Sequence, residues 1–229
     1  MGAQSPAALG VSSTDSVSAD HPGVIDLFAV LAYGEISAFY RLAEEAKLSP
    51  SLRGKVAVAK MASAEMGHFN ALEAALAERG VDIFDAMAPF VRALDAYHAS
   101  TDPSTWLESM VKFYVGDGIA ADFYNEIAGA LPPEVAEVVR DVLAETSHSE
   151  FVVEEVRRAV ATSRSERDRL TLWGRRLLGE AITQAQYVMA QRDELTELVL
   201  GAAGDLNGIA ALFERMQASH AERMAKLGI

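Results

Sequence analysis

Two Glu-x-x-His motifs, Glu65-Met66-Gly67-His68 and Glu145-Thr146-Ser147-His148, lie eighty residues apart, each in a segment of helical periodicity. Residues three apart on a helix share a face, so each motif can turn a carboxylate and an imidazole toward one metal ion. A single copy is weak evidence in a chain this rich in Glu. Two copies, each on the second helix of a helical hairpin, demand a fold that returns both segments to one height.

The rest of the chain supplies such hairpins. Ala, Leu, Glu, Arg and Met recur with helical period, and alternating β-branched runs are nearly absent. The first helix is expected from about Pro22 to Lys47, with Ile25, Phe28, Leu31, Ala32, Ile36, Phe39 and Leu42 on its apolar face. Ser49 is the expected N-cap of the second helix, with Pro50 at its first position and Gly80 just past its end. Residues 81–103 carry Asp82, Asp85, Pro89, Asp95 and Pro103 and read as a crossover with only short helical stretches. A third helix follows to about Ala130, the turn Leu131-Pro132-Pro133 intervenes, and a fourth runs to about Ala161. Hairpin, long crossover, hairpin is the connectivity of a ferritin-like four-helix bundle. Two additional C-terminal helices are expected at about 166–200 and 205–228, separated by Gly201 and Gly204. The domain reading is therefore a disordered leader over 1–20, an all-α bundle over 21–162, and C-terminal helices over 163–229 that pack on the bundle or on a second subunit.

A di-metal carboxylate site also needs one carboxylate from each of the other two helices. On the first helix it is Glu35, inside the apolar stretch Leu31–Tyr40 where an unpaired charge is costly. On the third it is Asp117, which aligns Gly116-Asp117 with Gly34-Glu35, although Asp122 and Glu126 stand on the same helix as alternatives. The halves then repeat: Glu35 with Glu65 and His68, Asp117 with Glu145 and His148. Glu180 also interrupts an apolar stretch and is either a supporting or an additional ligand, or a charge facing solvent or an arginine. Tyr33, Tyr40, Tyr114 and Tyr124 either line the pocket or serve as core. Of the other histidines, His21 falls in the leader, His98 in the crossover after Asp95, and His220 in the last helix; structural or solvent-exposed roles are expected for them.

Mixed Glu, Asp and His ligation suits two iron ions, with manganese as the alternative. The absence of cysteine excludes disulfides, thiolate metal sites and a cysteine nucleophile, and fits a cytoplasmic location. No uninterrupted apolar run approaches the roughly 20 residues of a membrane span. The N-terminal stretch has neither the basic start nor the apolar run of a signal peptide. A net charge of −13 argues against generic binding to nucleic acid. One local exception is Arg157, Arg158, Arg164, Arg167, Arg169, Arg175 and Arg176 around the turn between the fourth and fifth helices. They either contact phosphates or pair with Glu154, Glu155, Glu166 and Asp168.

Leu31–Ala46, Met61–Phe69, Val115–Tyr124, Ala144–Val153 and Trp173–Gln186 together resemble the actinobacterial ferritin-like proteins grouped with the tRNA 2-methylthio-N6-isopentenyladenosine hydroxylases, the MiaE-like family. The resemblance runs from about residue 22 to 190. It implies a non-heme di-iron monooxygenase that hydroxylates an unactivated C–H bond with O₂ and electrons from a separate reductase. The implied ligands are Glu35, Glu65, His68, Asp117, Glu145 and His148, with Asp117 standing where Glu is common. A prenylated tRNA adenosine is the implied substrate, and a small hydrophobic molecule the other candidate. Iron storage, peroxide detoxification and a non-catalytic metal-binding scaffold are the competing functions.

Overall fold

The computed structural model describes residues 17–143 and 149–229, with the backbone alone at Ser149. The N-terminal leader expected over 1–20 therefore falls mostly outside the described residues, as do Glu145 and His148. Among the described residues there are nine α-helices and no strand. They are α1 (Pro22–Leu48), α2 (Leu52–Ala77), α3 (Ile83–Ser100), α4 (Trp106–Ile127), α5 (Pro133–Val142), α6 (Ser149–Thr162), α7 (Arg164–Gln191), α8 (Asp193–Ala203) and α9 (Leu206–Leu227). The all-α, ferritin-like architecture expected from the sequence is the architecture found.

α1 and α2 pack as a hairpin, and α1 also touches α3, α4 and α8. α4 is the second central helix, in contact with α6, α7 and α9. Phe28, Leu27 and Leu42 of α1, Leu72 and Leu76 of α2, and Phe90 of α3 are fully buried where these helices meet. Each such side chain contributes about 2 kcal/mol through removal from water. α1 is long and apolar enough to cross a bilayer, but half of its most apolar window is buried against its neighbours, so the composition is that of a core helix.

Several boundaries differ from expectation. Residues 81–103 hold one continuous helix in place of short pieces. Asp82 caps it by accepting hydrogen bonds from the Phe84 and Asp85 amides at 2.8 and 3.1 Å. Pro89 sits inside it and removes the amide that would bond the Asp85 carbonyl. Asp85 is exposed, while Ile83, Met87, Phe90 and Ala93 tie the opposite face into the core. The N-cap of α2 is Ser51, whose hydroxyl accepts from the Gly54 amide at 3.0 Å. Ser49 ends α1 instead, and Pro50 stays outside the helix. Gly80 does follow α2 as expected, with φ of 70° and the Val81 amide donating back to the Leu76 carbonyl at 3.0 Å. The expected fourth helix is represented by α5 and α6, and residues 144–148 between them are outside the described set.

The fifth expected helix is two, α7 and α8, broken at Arg192. Extended backbone there lets its guanidinium reach Asp26 of α1, Nη2 to Oδ1 at 2.6 Å and Nε to Oδ2 at 3.0 Å. Asp26 is 4% exposed while Arg192 is half-buried, and the pair fastens the C-terminal helices to α1. α9 is fastened to α4 in the same manner: Arg223 pairs with Asp122 and Arg215 with Glu126.

Candidate metal centre

Glu35 projects from α1, and Glu65 and His68 from adjacent turns of α2. The close packing of this hairpin brings the three together. His68 Nδ1 lies 3.2 Å from Glu35 Oε2 and 3.7 Å from Glu65 Oε2. One ligand atom from each lies within 4.8 Å of the other two. Two metal–ligand bonds of about 2.1 Å span close to that distance, so small rotations place all three donors on one ion.

The charges carry the mark of a cation site. Burial, and then the neighbouring Glu35 carboxylate, push the Glu65 carboxyl up to about 8, against the opposing pull of His68. Hydrogen bonding to Glu35 first and Glu65 second raises His68 to about 10. At neutral pH the metal-free trio therefore holds two protons, a neutral Glu65 and an imidazolium leaning mainly on Glu35. A divalent ion held by these three residues would take the place of both protons and keep both carboxylates ionised. Two carboxylates and an imidazole form a hard-to-borderline donor set that suits iron or manganese.

Asp117, from α4, faces this trio across a cavity of about 640 Å³ whose wall includes Glu35, Glu65, His68, Tyr97, Tyr114 and Asp117. Its side chain is exposed to the cavity, and the protein crowding around that opening desolvates the carboxyl. That confinement raises its carboxyl well above the usual range, and the Glu65 charge adds to the effect. His68 and Arg223 pull the other way. Asp122 and Glu126, the other α4 candidates, are engaged with Arg223 and Arg215. Asp117 is thus the α4 carboxylate that faces Glu65 and His68. Glu145 and His148, the remaining two of the six sequence-derived ligands, lie outside the described residues.

Glu180 of α7 accepts a hydrogen bond from Ser100 Oγ at 3.0 Å, at the end of α3. The tyrosines divide: Tyr114 lines the cavity and Tyr124 is buried close enough to Glu35 to feel its charge. Tyr33 instead donates to Asp95 at 2.8 Å, and Tyr40 is among the exposed residues. Tyr33 takes up the carboxylate that stands three residues before His98. His98 lines the cavity, as do Lys112 and Arg223, and none of these three was singled out as a site residue from sequence. The only sequence signal for Lys112 was a charge in an apolar stretch, Met110 to Val115. His21 caps α1, its Nδ1 accepting from the Gly23 amide at 3.0 Å.

The arginines around the α6–α7 turn behave in two ways. Arg158 pairs with Glu155 at 2.8 Å, Arg164 with Asp168 at 3.7 Å and Arg169 with Glu166 at 2.6 Å. Arg167 and Arg176 donate to the Val160 and Ser100 carbonyls, while Arg157 and Arg175 are exposed. A family model described as the ferritin-like domain of actinomycetes matches residues 19–202, which takes in α1 through α8 and leaves α9 beyond it. No curated protein matches the chain.

Proposed function

This chain belongs to the ferritin-like domain family of actinomycetes, and we propose that it is a di-iron carboxylate protein that activates O₂ for C–H hydroxylation. Glu35, Glu65, His68, Asp117, Glu145 and His148 are the proposed ligands. The observation that carries the reading is the convergence of Glu35, Glu65 and His68 on a cavity large enough for a small organic substrate. A bound iron pair would supply the capacity to bind and reduce O₂. The chain's own residues supply the rest. When the site fills, Glu65 and His68 would give up their protons, leaving Glu35 and Glu65 as carboxylates opposite Asp117. Ala38, Met61, Leu94 and Phe113 give the cavity apolar wall that excludes water and receives hydrocarbon.

The MiaE-like resemblance adds a separate reductase and a prenylated tRNA adenosine as proposed partners. The exposed Arg157 and Arg175 favour contact with phosphate, while the three arginine–carboxylate pairs beside them favour a solvated face. The decisive experiment loads the protein anaerobically with ferrous iron, counts the ions, and follows O₂ uptake with candidate substrates. Two irons per chain, O₂ uptake coupled to a hydroxylated product, and at least about a tenfold loss of iron affinity in His68→Ala are expected. One ion per chain with no O₂ uptake identifies a metal-binding scaffold, and a large multimeric shell that mineralises iron identifies a storage protein.

A further inference from the structure

The end of the cavity nearest the start of α4 is positively charged and has no place in the metal centre. Lys112 of α4 and His98 of α3 line it, and Arg41 of α1 backs it. Lys112 is 4% exposed and spends one donor on the Thr101 carbonyl at 2.7 Å. His98 Nδ1 and Arg41 Nε are buried without a hydrogen-bond partner. Among the described residues, neither Lys112 nor Arg41 has a carboxylate within ion-pair distance. Glu45, which accepts from Ser109 Oγ at 2.6 Å, and the exposed Asp102 act on Lys112 only at longer range. Burying cations and polar atoms without partners is costly, and a ligand that brings the partner removes the cost.

We propose that Arg41, His98 and Lys112 form an anion subsite that seats the carboxylate or phosphate head of a small amphiphile, its hydrocarbon tail running toward Glu35, Glu65 and His68. The tail's direction rests on the di-iron reading; the head's seat does not.

The helices give the ruler. Arg41 lies six residues beyond Glu35 on α1, and Lys112 five residues before Asp117 on α4. At 1.5 Å per residue the charged end and the carboxylate centre are about 8 Å apart along the bundle. Between them the wall includes Ala38, Met61 and Leu94, which offer a hydrocarbon chain contact. A head group seated on Lys112 thus places a carbon some six bonds along the tail beside the metal ligands. The uncompensated character of the site shows in its titration: burial, then Arg41, lower Lys112 to about 8 despite Asp102 and Glu45, and burial with Lys112 and Arg41 lowers His98 to about 3.

The test is calorimetric titration of the full-length protein at pH 7, with metal removed by chelator, using octanoate, octyl phosphate and 1-octanol. At least one anion is expected to bind about tenfold or more tightly than 1-octanol, and the stronger of the two names the head group. Lys112→Met and Arg41→Gln should each cut anion affinity about tenfold and leave 1-octanol unchanged. Lys112→Met also takes a hydrogen bond from the buried Thr101 carbonyl, so Arg41→Gln carries the test should that variant fail to melt cooperatively. Equal binding of 1-octanol and both anions overturns the proposal. So does an anion preference that survives Arg41→Gln, or one that is lost in His68→Gln alone, which would place the head at the metal centre. Metal is absent throughout, so a protein that fails to take up iron still passes or fails here.

Discussion

α1 and α4 play matching parts in the bundle and are held in different ways. Each is a central helix carrying a proposed ligand carboxylate, Glu35 or Asp117, and each is fastened by an aspartate to an arginine from the C-terminal helices. On α1 the fastening is Asp26 with Arg192, nine residues or about 14 Å from Glu35. On α4 it is Asp122 with Arg223, five residues from Asp117, and the Arg223 charge reaches Asp117 itself. Anchorage and ligation are separate on α1 and entangled on α4. The difference teaches where the scaffold can be altered without touching the proposed metal ligands.

The largest effect should come from the α1 anchor. Arg192→Met leaves Asp26 buried without its cation and should cost about 3 kcal/mol of stability by urea denaturation. Asp26→Asn in the same chain should recover part of that loss, because no bare charge remains. Below its melting temperature Arg192→Met should bind ferrous iron with wild-type affinity. A parallel loss of iron affinity would show that the α1 anchor also sets Glu35, and the contrast with α4 would fall.

Legibility of these features in the sequence followed the range of the interactions. Glu65-x-x-His68 and the apolar face of α1 are local patterns, and they carried the fold and two of the three side chains that converge. Glu35 was legible as a carboxylate stranded among apolar residues. Asp26–Arg192 was not: 166 residues separate the partners, and the break at Arg192 has no glycine or proline to announce it. Lys112 and His98 become meaningful only when α3 and α4 meet at one end of the cavity. The α3 helix was missed because Pro89 and three aspartates read as punctuation, whereas burial of Phe90 and Met87 outweighs one lost helical hydrogen bond.

A second, smaller effect separates the α1–α2 trio from the rest of the scaffold by pH. Glu65, raised to about 8, keeps in the folded state a proton that the unfolded chain releases near 4.5. The folded protein therefore binds more protons between these values, and stability falls as pH rises through them. His68, raised to about 10, acts in the same sense: its contribution is complete below about 6.5 and is lost as pH rises through 10. In chelator, stability should decline by about 2 kcal/mol from pH 5 to pH 8. Glu65→Gln should flatten that slope. Ferrous or manganous ion should reverse it, because the metal competes with both protons. A slope unchanged by Glu65→Gln would locate the titration elsewhere, for instance at Asp117.

The smallest effects distinguish the two glycines that flank Asp117. Gly116 has open space where a methyl group would project, as Gly34 does beside Glu35. Gly118 does not: a methyl there overlaps the Arg223 guanidinium, which crosses α4 at that point on its way to Asp122. Gly116→Ala should gain about 0.5–1 kcal/mol from helix propensity alone. Gly118→Ala gains the same propensity but must displace a buried, paired arginine, and should come out about 1–2 kcal/mol destabilised. The displaced guanidinium also withdraws the charge that pulls Asp117 downward, so a carboxyl titration followed by NMR in chelator should move upward in Gly118→Ala and stay in place in Gly34→Ala. Equal stabilisation by both flanking alanines would mean that Arg223 leaves Gly118 at little cost. In that case α9 is a loosely held cover over the α4 half, and the entanglement of anchor and ligand dissolves.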